Sequence, residues 1–436
     1  MLYKKLATNL CALCCVYLLQ TNVLFAQVQL SLPAADTLKL EIKQAEAVFL
    51  DSNLQLLAQR YNIQSGKALV EQAKKWDNPV LNTDQNIYSG NSFFQHSVDA
   101  HGNPQGEIFM QVQQLIKTAG KRGKQVDLAR ANVNMEEWQF RSVMRNLKAL
   151  LFKDFYTIAQ LEGNARLYNE NMQRLMQLKN AQEQELKAGN IARKEYLRVQ
   201  ALIISLQQDM TENARDMNDA QSELKTILRI TGNKYIKPIV TDTESTELPK
   251  LSIQALVDSA KHNNTDYQQQ VSQLQYNQQN FRLQKALAAP DITIGTEFDQ
   301  AANYAPNYFG LAISFPLPFW DRNQGNIKSA HYQVKQQEAT MYDAEVKLQN
   351  DVMNAYQKLL LSIRLSSNDN SRFYKDYYQL QKNIMESYNK RQISLIEFLD
   401  FFNDYQAVRQ KELQQILNLR LAKEELNDIE GTDIIK

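Results

Sequence analysis

Tyr308-Phe-Gly-Leu-Ala-Ile-Ser-Phe315 alternates without a break. Phe309, Leu311, Ile313 and Phe315 face one way; Tyr308, Gly310, Ala312 and Ser314 face the other. Period two over eight residues marks a strand with one apolar face. Pro316 and Pro318 follow at once and cannot continue a ladder, so the strand must end there. Asp321 or Asn323 is then placed to cap the helix that comes next. Upstream, Ile292, Ile294, Thr296 and Phe298 share a face opposite Thr293, Gly295 and Glu297, and Ile108, Met110 and Val112 alternate with Phe109, Gln111 and Gln113. Four extended segments result, near 79–88, 107–116, 290–299 and 308–316. They form two hairpins whose loops, 89–105 and 300–307, are rich in Asn, Ser, Ala, Tyr and Pro. Taken alone, such strands fit soluble hairpins better than a membrane barrel.

The surroundings of these strands are helical. Pro is absent from 105 to 237 and from 319 to 436, and only 13 Gly occur in 436 residues, so long helices meet few breakers. Val143, Leu147, Leu150, Leu151, Phe155, Ile158 and Leu161 recur at three- and four-residue spacing, as do Val352, Tyr356, Leu359 and Ile363. The stretch from Lys124 to Ala188 is 65 residues, about 100 Å as a helix. It must pack sideways on others, as in a coiled-coil rod. A hydrophobic content of 44% with balanced charge excludes disorder. A pI near 7.6 offers no polyelectrolyte attraction to nucleic acid. Mean hydropathy is −0.49, and past residue 30 no apolar run approaches the ~20 residues of a spanning helix.

Self-comparison divides the chain into two copies of one unit. Leu40-Glu-Ile-Lys-Gln-Ala to Ser52-Asn53 matches Leu251-Ser-Ile-Gln-Ala to Asn263-Asn264, and Pro79-Val-Leu matches Pro290-Asp-Ile. Lys121-Arg122 falls opposite Arg322-Asn323, and Ile191 to Leu197 opposite Ile393 to Leu399. Each copy reads as a helix (40–76 and 252–288), two strands, and a very long helical stretch broken near 189–192 or 390–394. The boundaries are 27–231 for the first copy, 232–250 for a connector carrying Gly232, Pro238 and Pro249, 251–428 for the second copy and 429–436 for a tail.

Residues 1–26 read as an export signal, with basic Lys4 and Lys5, a mostly apolar run from Leu6 to Phe25, and Ala26 before Gln27. The other reading is a short membrane anchor. Cys11, Cys14 and Cys15 all fall here, so an exported chain would carry no disulfide and would hold together by packing or assembly. Inside an exported helical protein the two hairpins acquire a new meaning. Four strands cannot close a barrel, since the smallest have eight, and open edges are not tolerated in lipid. The strands must therefore be shared in an oligomer: two copies give eight, three give twelve.

This arrangement resembles the TolC-type outer-membrane efflux duct over roughly residues 36–428. Its most specific stretch, Phe315-Pro-Leu-Pro-Phe-Trp-Asp-Arg-Asn-Gln-Gly325, is similar to the CzcC-like heavy-metal branch, with Ala119-Gly-Lys-Arg122 as the matching corner of the first copy. The resemblance implies a mainly α fold with a small β part. It implies a homotrimer combining a twelve-stranded outer-membrane β-barrel in lipid with a hollow α-helical barrel crossing the periplasm. It implies docking on a membrane-fusion adaptor and an inner-membrane pump, with no cofactor, no nucleic acid and no chemistry. The tips expected to dock are Gly189, Asn190, Ile191 and Ala192 in the first copy and Arg391, Gln392, Ile393 and Ser394 in the second. Arg391 stands where the family carries Gly, which shifts the expected left-handed residue to Asn389.

The expected gate at the periplasmic entrance is Glu397, Asp400, Tyr388 and Glu195. Acidic residues at these positions line the closed entrance in the family, and Tyr388 resembles a gate residue that would bond Glu195 of the neighbouring tip. Arg198 stands where Asp400 stands in the second copy. The competing reading of Glu397 and Asp400 is a surface pair at a helix start, where the helix dipole favours carboxylates. No Walker loop, G-x-S-x-G or H-E-x-x-H occurs. His96, His101, His262 and His331 are scattered. The expected function is a passive outer-membrane duct of a tripartite efflux system, exporting divalent heavy-metal cations. The alternatives are a duct for drugs or small organics and, from another class, a soluble periplasmic coiled-coil scaffold.

Overall fold

The structure, a computed structural model, describes residues 36–435 except 90–91, 95–97, 99, 103–105, 241–251, 301–304 and 367. The expected signal at 1–26 with its three cysteines, His96, and parts of both hairpin loops and of the connector lie outside the described residues. The described chain is mainly helical with small sheets.

The same order of main elements occurs twice, with two short strands added in the first copy and one long helix divided in the second. In the first copy, β1 (Asp36–Glu41) leads into α1 (Ile42–Ser52) and α2 (Leu54–Ala73), then β2 (Val80–Gln85), the two-residue β3 (Tyr88–Ser89) and β4 (Ser92–Phe93), and β5 (Ile108–Ile116). Then come α3 (Lys121–Lys187) and α4 (Arg193–Leu228). After β6 (Lys234–Ile239), the second copy runs α5 (Ile253–Asn263), α6 (Thr265–Leu287), β7 (Ile292–Asp299), β8 (Tyr308–Ser314), α7 (Gln324–Leu365), α8 (Asn368–Asn389) and α9 (Leu395–Glu430).

Each copy's expected single first helix is two helices. Asn53 and Asn264 sit in extended backbone at the breaks, and their side-chain oxygens accept from the amides that open the next helix, Gln55 and Leu56 for Asn53 and Tyr267 for Asn264. Their amide nitrogens donate to Ile227 O at 3.1 Å and Ile429 O at 2.9 Å. Each asparagine thus caps a helix and staples the kink to the last turns of its own copy's final long helix. Two phenylalanines, four leucines and an isoleucine are drawn in around the first kink: Phe49, Leu56, Leu151, Phe155, Ile158, Leu224 and Leu228 form the core there. Leu256, Val257, Ala260, Leu348 and Val352 fill the matching place in the second copy.

Three further departures have local causes. Residues 36–41 and part of the expected connector are strands: β1 and β6 pair in parallel, Leu40 opposite Pro238. Ile236 at 0% exposure anchors the ladder, and Gln221 clasps it through both backbone groups. The second long stretch breaks at Ser366 as well as at the tip. The expected tail begins inside α9, which ends at Glu430. Gly431 then takes φ 70, and a Cβ there would sit 2.2 Å from Asn263 O. Beyond it Ile435 returns to the core, held both ways by Asn427, and Asp433 ion-pairs with Arg145 and Lys148.

Candidate channel wall and helical tips

The four long strands form one antiparallel sheet in the order β2-β5-β7-β8. Register fixes its faces. Leu81, Val112, Thr296 and Leu311 are aligned across it, as are Thr83, Met110, Phe298 and Phe309, while Gln114, Ile294 and Ile313 form a third row. No charge lies on this face. The other face carries the row Asn82, Gln111, Glu297 and Gly310, joined by Asn82 Nδ2 to Gln111 Oε1 at 3.3 Å and Gln111 Nε2 to Glu297 Oε2 at 2.7 Å. Asp84 and Asp299 share that face, and every charge on it is acidic. Gly310 leaves room for Tyr308, whose ring would lie 2.5 Å from an added Cβ. The outer edges of β2 and β8 have no partner strand among the described residues. Among those residues, too, no helix is long and apolar enough to cross a membrane.

Below the sheet the copies are locked at one corner. Thr118 N donates to Asp291 Oδ1 at 2.8 Å, and Lys121 Nζ donates to Asp291 Oδ1 and to Ala289 O, both at 2.6 Å. Lys121 is buried. The helices starting at these corners open at Lys121 and Gln324, so Gly120, not Arg122, is the counterpart of Asn323. Both are left-handed, at φ 67 and φ 58. Neither Asp321 nor Asn323 caps α7 through its side chain. Asp321 accepts instead from Asn323 N, and Asn323 Nδ2 donates to Gln284 O on α6.

At the far end, the two tip turns share one hydrogen-bond pattern. Asn190 N donates to Glu185 O and Gly189 N to Leu186 O; Gln392 N donates to Ser387 O and Arg391 N to Tyr388 O. The left-handed residue of the second tip is Arg391 itself, at φ 58, matching Gly189 at φ 77; Asn389 remains helical. Arg391 Nη2 meets Glu185 Oε1 at 3.0 Å, and Asn190 Nδ2 meets Glu185 Oε2 at 2.7 Å. Gly189, Asn190, Ala192, Arg391, Gln392 and Ser394 are exposed, Ile191 is half-buried, and Ile393 packs into the tip core. That core, built on Leu175, Val199, Leu206, Leu395, Phe398 and Phe402, joins both hairpins.

The expected gate residues are not gathered into one cluster within the chain. Glu397 closes a capping box with Ser394: its amide donates to Ser394 Oγ and its carboxylate accepts from Ser394 N at 2.8 Å. These bonds hold its carboxyl below the ordinary glutamate value. Glu195 occupies the same third position of α4, where Ala192 offers no side chain to complete a box. Asp400 is exposed one turn on. Tyr388 faces inward, its ring 4.9 Å from Phe398 and its hydroxyl accepting from Gln182 Nε2 at 3.0 Å. Gln182 and Glu185 carry no sequence signal that separates them from the other polar residues of α3.

Buried carboxyls also escape sequence reading. Asp154 on α3 is pushed up to about 7, first by burial and then by the charge of Glu223. Glu430, at 0% exposure, is pushed up to about 7 by burial, which outweighs the opposing effect of the Ser259 hydroxyl. Among the described residues no group of three or more His, Cys, Asp or Glu is placed to hold a metal ion.

Long helical hairpins joined to a sheet with one apolar face, one acidic polar face and two open edges define a channel-wall protein. Comparison agrees. The family model described as "Outer membrane efflux protein" matches residues 23–228 and 256–431. The cobalt-zinc-cadmium resistance protein CzcC of Cupriavidus metallidurans is 20% identical over 249 residues. That match covers 57% of this chain and 58% of CzcC, so the chain spans less than two thirds of that relative. The crystal structure of CusC matches with a TM-score of 0.70 at 17% identity, over 90% of this chain and 92% of CusC. The Campylobacter jejuni CmeC outer membrane channel matches with a TM-score of 0.72 at 10% identity, over 90% and 86%. The chain belongs to the outer membrane efflux protein family, the non-enzymatic TolC-type channels that sit in the outer membrane and extend into the periplasm. Membership sets aside the soluble-scaffold alternative.

Proposed function

We propose that three copies of this chain close a twelve-stranded β-barrel and a hollow α-helical barrel, forming the passive outer-membrane duct of a tripartite efflux system for divalent heavy-metal cations. The observation that carries this reading is the amphipathic sheet with open edges. β2 and β8 run antiparallel, so β8 of one chain can pair with β2 of the next and remove every edge from lipid. The uncharged face meets lipid, and the Asn82–Gln111–Glu297 face lines water.

The cation cargo draws support from the wholly acidic charge of the polar face, which suits passing cations, and from the 20% match to a cobalt-zinc-cadmium resistance protein. Drug or small-organic export is the second reading. The tips, Gly189 to Ala192 and Arg391 to Ser394, dock on the periplasmic adaptor, which joins an inner-membrane pump. Their shared hydrogen-bond pattern lets one adaptor surface fit both. Glu195, Tyr388, Glu397 and Asp400 form the entrance.

Two measurements test the proposal. Mass in detergent is expected to give a trimer, and a stable folded monomer would end it. Loss of the chain is expected to sensitise cells to cobalt, zinc or cadmium. Sensitisation only to dyes and detergents would move the cargo to small organics.

A further inference from the structure

The linker from the last strand to the long helix differs sharply between the copies. In the first it is residues 117–120, and in the second 315–323. The first is short and fully engaged: its Thr118, with Lys121 at the start of α3, locks onto Pro290 and Asp291 at the foot of β7. The second is longer, and its extra residues are apolar. Leu317, Phe319 and Trp320 are exposed, Trp320 by 89% and Phe319 by 66%. Among the described residues it is tied to α6 at its end, through Asn323 to Gln284, while Arg322 Nε to Pro318 O and Gln324 Nε2 to Trp320 O fold its backbone onto the start of α7 and leave the rings outward. Pro316 and Pro318 limit the freedom of this segment, so its exposure is not the looseness of a flexible loop.

A second apolar patch lies at the opposite edge of the sheet. Trp76, at the α2–β2 corner, is 62% exposed even with the Arg122 guanidinium stacked 3.8 Å over its ring, and Leu81 is equally open. Within the chain, the post-strand linker of the first copy covers the pre-strand corner of the second. The same relationship applied once more requires the post-strand linker of the second copy to cover the pre-strand corner of a first copy, and only another chain has one free.

We infer that the Phe315–Trp320 segment is an intersubunit clasp that covers the Trp76 corner of a second copy of this chain where β8 meets that copy's β2. The inference rests on the trimer reading and names the contact that seals each of its joints. The apolar face of β8 runs directly into the segment, so the clasp continues the strand-pairing interface. Both sides carry mixed charge at their rims, Asp321 and Arg322 on one and Lys75 and Asp77 on the other. Two large aromatic patches that stay in water in the monomer become buried together, which is the character of an interface anchor.

The test uses the fact that all three cysteines lie within the first 15 residues. Phe319→Cys combined with Asn78→Cys is oxidised in the detergent-solubilised full-length oligomer, beside each single variant. Closed covalent trimers from the double variant and none from the singles are expected. A trimer by native mass without covalent linkage would overturn the clasp while leaving the trimer standing. A monomer by native mass would overturn both. A second measurement needs no cysteine. With Trp76→Phe and Trp138→Phe, Trp320 is the sole indole. In vesicles of brominated-chain phosphatidylcholine its emission is expected to match that in unbrominated lipid. Strong quenching would make the bilayer the occupant and overturn the clasp.

Discussion

Arg391 Nη2 lies 3.0 Å from Glu185 Oε1, so the residue that replaces glycine in the second tip reaches across to the last turns of the first hairpin. A left-handed non-glycine residue costs about 1 kcal/mol, and an exposed ion pair returns up to about 1 kcal/mol. The two offset each other here. Arg391→Gly is expected to leave the tip about as stable as before, because it loses the pair and the strain together. Arg391→Ala, which keeps the strain and loses the pair, is expected to be the weaker variant. Gly189→Ala should cost about 1 kcal/mol, since its added Cβ meets nothing and only the backbone conformation matters. Amide exchange at Asn190 and Gln392 reads these openings. Arg391→Gly exchanging faster than Arg391→Ala would refute the compensation.

The Lys121–Asp291 pair joins the two copies beneath the sheet, with Lys121 only 5% exposed at its side chain and Asp291 25%. Asp291→Ala would leave a buried ammonium without its carboxylate, a loss of about 3 kcal/mol. Lys121→Met is expected to cost less, because Asp291 can turn toward water. Denaturant midpoints in detergent rank the two. The reverse order would mean that the Lys121 bond to Ala289 O, not the ion pair, holds the corner.

The repeat, the four strands and the long helices were legible because each is a periodic pattern. The alternation of Tyr308 to Phe315 predicts β8 nearly to the residue. The kinks at Asn53 and Asn264 were not legible, because a single asparagine on an amphipathic helix looks like any surface residue until Ile227 or Ile429 is brought beside it. The β1–β6 ladder joins segments about 200 residues apart, so no local window contains it. Arg391 misled for a related reason: propensity pointed to Asn389, and the ion pair with Glu185 that steadies arginine there is a tertiary contact. Tyr388 is expected from the sequence as a gate residue toward Glu195 of a neighbouring tip, but its partner within the chain, Gln182, lies on the other hairpin and has no sequence signal of its own.

The assignment of faces predicts opposite responses to one charge. Ile313 lies opposite Ile294 on the uncharged face, whereas Asn82 lies beside Gln111 on the acidic face. Ile313→Lys is expected to destabilise the barrel by about 1 kcal/mol, because Ile313 lies one residue from the end of β8, where a lipid-facing charge costs less than at mid-membrane. Asn82→Lys is expected to be tolerated near Glu297. Equilibrium unfolding from phospholipid vesicles measures both, and equal losses would mean that the sheet is not embedded as assigned.

Glu430 gives the fold a pH dependence with a definite sign. Burial raises its pKa from an ordinary 4.5 to about 7. Between those values the folded chain binds the proton and the unfolded chain does not, so this contribution to stability falls as pH rises. It is complete below about 4.5 and gone above about 7. Glu430→Gln is expected to flatten the decline and to gain on the order of 1–3 kcal/mol at pH 8. Unfolding midpoints at pH 5 and pH 8 in detergent, wild type against variant, provide the check. Identical slopes in both would assign the titration elsewhere, Asp428 being the nearest candidate at about 6.

Tyr388 and Gln182 bind the second hairpin to the first just inside the tip. Gln182 is 4% exposed, and its Oε1 already lacks a partner, so its single bond to the Tyr388 hydroxyl is all that offsets burial of the amide. Tyr388→Phe keeps the ring against Phe398 and removes that bond, leaving the whole amide unsatisfied at a cost of about 1–3 kcal/mol. If the entrance opens by separating these hairpins, the variant is expected to raise the open fraction in single-channel recordings about tenfold, the factor that 1.4 kcal/mol represents. Gln182→Leu combined with Tyr388→Phe replaces both polar partners by apolar groups and is expected to bring the open fraction back toward wild type. A double variant that stays as open as Tyr388→Phe alone would show that the hydroxyl holds the entrance through some other group, with Glu195 of a neighbouring tip the first to test. No change in any of the three would place the constriction away from this contact and leave Glu397 as a helix cap and nothing more.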